Sequence, residues 1–326
     1  MNGNKISRRK ATGTSLKASL AAMGGVALST HARPAAVKTP LFKNQLPIRV
    51  SLNTSTLMPY KLPVDQQIAL ISEAGFDGVE LWMRDIMAYL EAGGSAADLR
   101  EKLEAGNLVL ENIIGFSQWC NDDQEERKKA KEQLREEMEI IAAMGGKYIA
   151  APVMGIKTLD RNMYDAYAER FLDILALEAE TGVTPVIELW GAGALSKLSD
   201  CAQITIATGH PKATMLLDIY HLYRGGTSWD TLDCLNGHRL PVIHMNDYPA
   251  SPARETLTDA DRVFPGDGVC PYDKVISKLY LAGFRGAFSV ELFNKGYWES
   301  MDAKTILKNS YEKTVKVVAH ALAPHM

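Results

Sequence analysis

Cysteine is scarce in this chain. The four cysteines among 326 residues, Cys120, Cys201, Cys234 and Cys270, contain no Cys-x-x-Cys pair. That spacing excludes a thiolate zinc cluster and gives no disulfide framework. No stretch reaches about 18 uninterrupted apolar residues, so a membrane-spanning helix is excluded. Acid is missing from residues 1–36, which carry six basic residues, Lys5, Arg8, Arg9, Lys10, Lys17 and Arg33. The formal net charge of −3 therefore conceals a body with 30 basic against 39 acidic residues. A body of that sign repels phosphate backbones and has no basic cluster, which argues against a nucleic-acid partner.

The basic start is followed by a mildly apolar stretch from Leu20 to Leu28 and by small residues around 30–36. This order is that of a cleavable export signal. Ser7-Arg8-Arg9-Lys10 resembles a twin-arginine signal, although Ala11 and Thr12 stand where a large apolar residue is usual. The expectation is export to the periplasm of a chain already folded, with the mature domain spanning 37–326.

What is present in quantity is apolar side chain, 46% of the residues, in a regular alternation. Short β-branched or apolar runs are expected as strands over 48–53, 78–82, 109–115, 148–152, 185–190, 214–220, 241–247 and 287–293. Helical periods fill the gaps at 64–74, 97–105, 124–144, 163–181, 195–208, 229–236 and 272–282, with a last helix over 303–322. Glycines 75, 106, 145, 182 and 283 follow five of these helices, where left-handed caps would stop them. The segment Ala74-Gly-Phe-Asp-Gly-Val-Glu80-Leu-Trp82 recurs around Glu291 and, more loosely, around Glu188, at intervals of 108 and 103 residues. Repetition every four strand–helix units suits a closed ring. The fold expected is a single-domain α/β protein, a (β/α)8 TIM barrel. An open doubly wound sheet is disfavoured because residues 53–57, after the first strand, lack the glycine-rich turn.

Ionisable residues recur at the C-terminal ends of the expected strands: Glu80, Glu188, Asp218, His244 with Asp247, and Glu291. Buried charge is costly unless paired or metal-bound, and that rim is where barrels of this class build their sites. Glu188, Asp218, His244 and Glu291 lie on four consecutive strands. Three carboxylates and one imidazole make a hard, oxygen-rich site for one divalent ion, manganese, magnesium or cobalt. His221, just past Asp218, is expected to face substrate. Of the rim aromatics Trp82, Trp119, Trp190, Tyr220 and Tyr248, most are expected to pack, with Trp190 as a platform for a sugar ring.

The motifs Val-Ile-Glu188-Leu-Trp, Leu-Leu-Asp218-Ile-Tyr-His221, Val-Ile-His244-Met-Asn-Asp247 and Ser-Val-Glu291-Leu together resemble the xylose-isomerase-like TIM-barrel superfamily over residues 48–322. That superfamily includes sugar epimerases, hydroxypyruvate isomerase, inosose dehydratase and endonuclease IV. The resemblance implies metal ligation by Glu188, Asp218, His244 and Glu291 and a substrate contact by His221. Two features depart from the ketose 3-epimerases: Ala250 stands where they carry an arginine, leaving Arg254 or Arg262 to substitute, and Arg262-Val-Phe-Pro-Gly-Asp-Gly268 resembles a turn of inosose dehydratases. Arg262 and Asp247 thus join Trp190 and His221 as expected substrate contacts.

The resulting expectation is a metal-dependent isomerase or epimerase acting on a non-phosphorylated sugar. Glu188 and Glu291 would serve as base and acid for proton transfer next to a carbonyl, through an enediolate. The alternative is a lyase or dehydratase that eliminates from a keto-glycoside or an inosose. A non-catalytic exported carbohydrate-binding protein is the third reading. The expected partner is a small carbohydrate, and nothing in the residues sets an oligomeric state.

Overall fold

The computed structural model describes residues 42–326; the export signal expected over 1–36 lies outside the described residues. Eight parallel strands close in sequence order into a barrel. They are β1 Arg49–Asn53, β2 Gly78–Trp82, β3 Val109–Ile114, β4 Tyr148–Pro152, β5 Thr184–Glu188, β6 Met215–Asp218, β7 Val242–Met245 and β8 Ala287–Val290. Helices α1 Val64–Glu73, α2 Met83–Glu91, α3 Ala96–Ala105, α4 Gln124–Ala143, α5 Tyr164–Leu175, α6 Glu178–Thr181, α7 Leu198–Ala207, α8 Ile219–Arg224, α9 Tyr272–Leu281, α10 Lys295–Ser300 and α11 Ala303–Leu322 connect and follow them. The expected TIM barrel is what forms. Among the described residues no helix is long and apolar enough to cross a membrane, and all four cysteines are free.

Strand alternation sorts the side chains into two cores. Ile187, Leu217, Ile243 and Phe288 belong to the large outer core between sheet and helices. Their neighbours Val186, Leu216, Val242 and Ala287 form a separate buried cluster. Because side chains repeat every two residues along a strand, the next positions facing the same way are Glu188, Asp218, His244 and Ser289. The chemistry therefore stands one layer above an apolar floor, as barrel layering requires.

Local differences from the sequence expectation have identifiable causes. Strand β6 stops at Asp218, whose carboxylate accepts the backbone N–H of His221 and caps α8, so Ile219 and Tyr220 turn helical despite their β-forming side chains. Gly75, Gly145, Gly182 and Gly283 take the left-handed conformation, with φ of 94°, 83°, 74° and 97°. Gly106 stays right-handed at φ −76°, and the neighbouring Asn107 makes the left-handed turn at φ 50°. The helix expected over 163–181 is broken into α5 and α6, and the one over 229–236 is a 3-10 turn, Trp229–Cys234.

Candidate active site

At the C-terminal mouth of the barrel, His244 is fully buried at the centre of a ring of acids. Its Nε2 lies 3.2 Å from Glu80 Oε2. Its Nδ1 lies 3.2 Å from Glu291 Oε2, 3.6 Å from Asp218 Oδ2 and 3.8 Å from Glu188 Oε1, yet has no hydrogen-bond partner. Glu80 reaches this position from β2, where the register against β3 shifts between Val79 and Glu80. The extra residue of that shift is Glu111 on β3, so it is β3 that bulges and brings Asn112 opposite Glu80. Asn112, paired with Glu80 in that register, donates to its Oε2 at 2.8 Å. A carboxylate on Nε2 favours the tautomer with its proton there and leaves the Nδ1 lone pair facing the other acids.

Electrostatics follow from this crowding. Burial and the neighbouring Glu291 and Asp218 charges push Glu188 up to about 8, although His244 works against the rise. Burial alone would also raise Asp218, but Arg262, His221 and His244 hold it well below the carboxylate range. Burial would lower His244, and the carboxylates of Glu291, Glu80 and Asp218 reverse that and raise it well above its usual value. Four acids share one imidazole and, from the loop side, the Arg262 guanidinium, so negative charge is in excess, and a divalent cation fits beside the unpartnered Nδ1 of His244. Asp218, His244 and Glu291 can each offer a ligand atom within 4.8 Å of the others. Glu188 stands beside this trio, next to His244, rather than within it.

The other expected contacts divide. Arg262 is 1% exposed, and its Nη1 donates to Asp218 Oδ2 at 2.9 Å and Glu291 Oε2 at 2.7 Å. Its Nη2 donates to Asp259 Oδ1 at 2.7 Å and meets His221 Nε2 at 3.1 Å. Since a guanidinium only donates, His221 accepts at Nε2 and carries its proton on Nδ1. That Nδ1 is buried and unpartnered, and burial keeps the ring neutral by lowering its pKa. His221, Arg262, Trp190, Glu188 and Glu291 line one cavity of about 340 Å³, together with Trp82, Phe116, Asp259 and Phe293.

Asp247 is placed differently from the expectation. Its two oxygens accept the backbone N–H groups of Tyr248, Gly266, Gly268 and Cys270 at 2.8–3.0 Å. With its oxygens so committed it anchors the loop that delivers Arg262, and it does not line the cavity. Gly268 is required there, because a Cβ would come within 2.3 Å of Asp247 Oδ1. Of the rim aromatics, Trp119, Tyr220 and Tyr248 are buried in packing, while Trp82 and Trp190 line the cavity.

Sequence reasoning left Glu80 outside the site, although the repeat that aligns it with Glu291 was the available signal. Asn112, Asp259, Phe116 and Phe293 carried none.

Comparison with known proteins agrees with this architecture. The model of the xylose isomerase-like TIM barrel family matches residues 68–316. The chain belongs to that family. It is 26% identical over 261 residues to an inosose isomerase of Bacillus velezensis, covering 78% of this chain and 91% of that one. It is 22% identical over 243 residues to a 3-dehydroshikimate dehydratase of Pseudomonas putida, covering 71% of this chain and 36% of that longer protein. Among solved structures, the IolI protein with a bound zinc atom superposes with a TM-score of 0.76 at 22% identity, covering 84% of this chain and 99% of that one.

Proposed function

We propose that the protein is an isomerase that uses a divalent cation and moves a proton next to the carbonyl of a non-phosphorylated sugar or cyclitol. The observation that carries this reading is the unpartnered Nδ1 of His244, set among Glu188, Asp218 and Glu291. Asp218, His244 and Glu291, with Glu188 beside them, would hold the ion, which when bound supplies Lewis-acid polarisation of a carbonyl oxygen. Manganese, magnesium and cobalt suit this donor set. The inosose isomerase relative supports isomerisation.

The chain's own groups supply the rest. Glu188, raised toward neutrality by burial, is suited to take the proton, since a base works best with a pKa near the operating pH. Glu291, which meets the same Nδ1 edge of His244, would act as the acid, entering protonated and giving its own proton to the neighbouring carbon or oxygen, with exchange against solvent restoring both carboxyl groups. His221 and Arg262, joined through Nε2 and Nη2, line the cavity where a substrate oxygen would bind. The burial of these groups excludes water from the charge that develops. Export through the signal expected over 1–36 would place the enzyme in the periplasm, where free sugars are the available substrates.

A second reading, β-elimination, shares the proton-abstraction step and is favoured by the dehydratase relative. Product mass separates the two after incubation with a cyclitol ketone, a free ketose and a keto-glycoside. Unchanged mass with solvent deuterium at the carbon beside the carbonyl supports isomerisation, and loss of water or an aglycone supports elimination. Sugar binding without any exchange, surviving chelation, would indicate a binding protein instead.

A further inference from the structure

The cavity is divided by polarity in a way the proton-transfer chemistry does not explain. Glu188, His221, Asp259, Arg262 and Glu291 hold its polar side. Trp82, Ile114 and Phe116 line it at the ends of β2 and β3, which lie across a closed eight-strand ring from β6 and β7. Trp190 and Phe293 flank this wall. The indole N–H of Trp82 is already donated to Asn53 Oδ1 at 2.9 Å, and Arg84 covers the ring at 4.3 Å. The Asn112 amide nearby donates to Glu80. Among the described residues, no serine, threonine, asparagine, glutamine or lysine side chain lines the cavity.

A free ketose carries hydroxyls along its whole length. Those farthest from the carboxylates would meet this wall, giving up hydrogen bonds to water and gaining none. Stacking of one sugar face needs a single aromatic platform, whereas here three rings are tilted to one another: Trp82 to Phe116 at 5.3 Å and 50°, Phe116 to Trp190 at 6.3 Å and 58°. Phe116 is 40% exposed, as though a partner ring were missing from an edge-to-face cluster.

We infer that the site takes a two-part substrate: a hydroxylated ring bound at the carboxylates, and a flat aromatic ring attached to it that fills the wall of Trp82, Phe116 and Trp190. The first part rests on the function proposed above, and the second does not. An aromatic substituent matches the wall because it has apolar area to bury and no hydroxyls to satisfy. Keto-glycosides of phenols are the chemical class that joins the two parts and carries the carbonyl that the proposed chemistry needs.

The test is calorimetric titration of the full metal-loaded protein with phenyl β-D-glucopyranoside and with methyl β-D-glucopyranoside. The phenyl compound is expected to bind about tenfold tighter, from ring burial and edge-to-face contact. In Phe116→Leu, a change at a half-exposed position that the core tolerates, the ratio is expected to fall to about threefold or less. Equal affinities, no measurable binding of either compound, or an unchanged ratio in the variant would overturn the inference. Neither glycoside carries a carbonyl, so the preference is read without turnover. Absent deuterium exchange with a retained preference would fail the proton-transfer reading alone, and exchange without preference would fail this one alone.

Discussion

The two ends of the barrel both bury carboxylates, and they differ in whether the buried polar atoms around them all find partners. At the N-terminal floor Glu111 receives Arg49 through Nε at 2.5 Å and Nη2 at 2.9 Å, with Ser51 Oγ at 3.2 Å. Asp77 beside it accepts from the backbone of Lys43 and Val50 and from Asn44 at 2.8–3.0 Å. Gly78 completes the fit, because a Cβ there would come within 2.4 Å of Glu111 Oε1. At the mouth, Glu80, Glu188, Asp218, Asp259 and Glu291 surround His244 and one guanidinium, with two imidazole nitrogens left unpartnered. The floor is complete as folded. The mouth leaves buried polar atoms unpartnered, the pattern that marks a candidate functional cluster of buried charge.

Variants at both ends and metal titrations bear on that contrast. The largest effect is expected from Glu188→Gln, which should lower turnover by about 10²–10⁴-fold, the usual contribution of a general base, and abolish solvent-deuterium exchange while leaving the circular dichroism spectrum unchanged. Retained exchange would remove Glu188 from that role. His244→Ala should lose most of the bound divalent ion by elemental analysis. His221→Ala should keep the ion and weaken substrate binding, so full metal occupancy in the His244 variant would move the site elsewhere.

Metal affinity should also depend on pH with a definite sign. A proton and a cation compete for Glu188, which titrates at about 8, and for the raised imidazole of His244. Affinity should therefore fall by about tenfold or more per unit as pH drops below 8, and a flat profile would contradict the assignment. Stripping the metal should lower native-state stability by about 2.7 kcal/mol relative to a concentration one hundred times its dissociation constant, seen as a lower Tm.

The smallest effect belongs to the floor. Glu111→Ala leaves Arg49 without its partner, but that side chain is 23% exposed and regains some water. The cost should be about 1–3 kcal/mol of stability, below that of breaking a fully buried pair, with metal content unchanged. Loss of metal in this variant would join the two ends that the structure separates.

How far each was legible in the residues differs in the same way. The eight strands were readable because parallel barrel strands are buried on both faces and appear as short apolar runs. The ligand candidates were readable because a charged residue inside such a run is costly unless it has a purpose. Alternation along each strand also set Val186, Leu216 and Val242 beneath Glu188, Asp218 and His244. Asp247 looked like one more strand-end acid, and only the folded loop shows four backbone donors committing its oxygens.

By itself, then, the amino-acid sequence determined the barrel, the apolar layer beneath the mouth and the types of candidate ligand at the ends of β5 to β8, since these follow from local periodicity and the cost of burying charge. Tertiary structure decided which partner each group meets. Asn112 comes opposite Glu80 through a shift in pairing between β2 and β3, Arg262 reaches Asp218 and Glu291 from a loop pinned 15 or more positions away by Asp247, and Phe116 meets Trp190 across separate strands. Contacts between residues tens to hundreds of positions apart depend on register and loop path, and no local pattern in the chain encodes those.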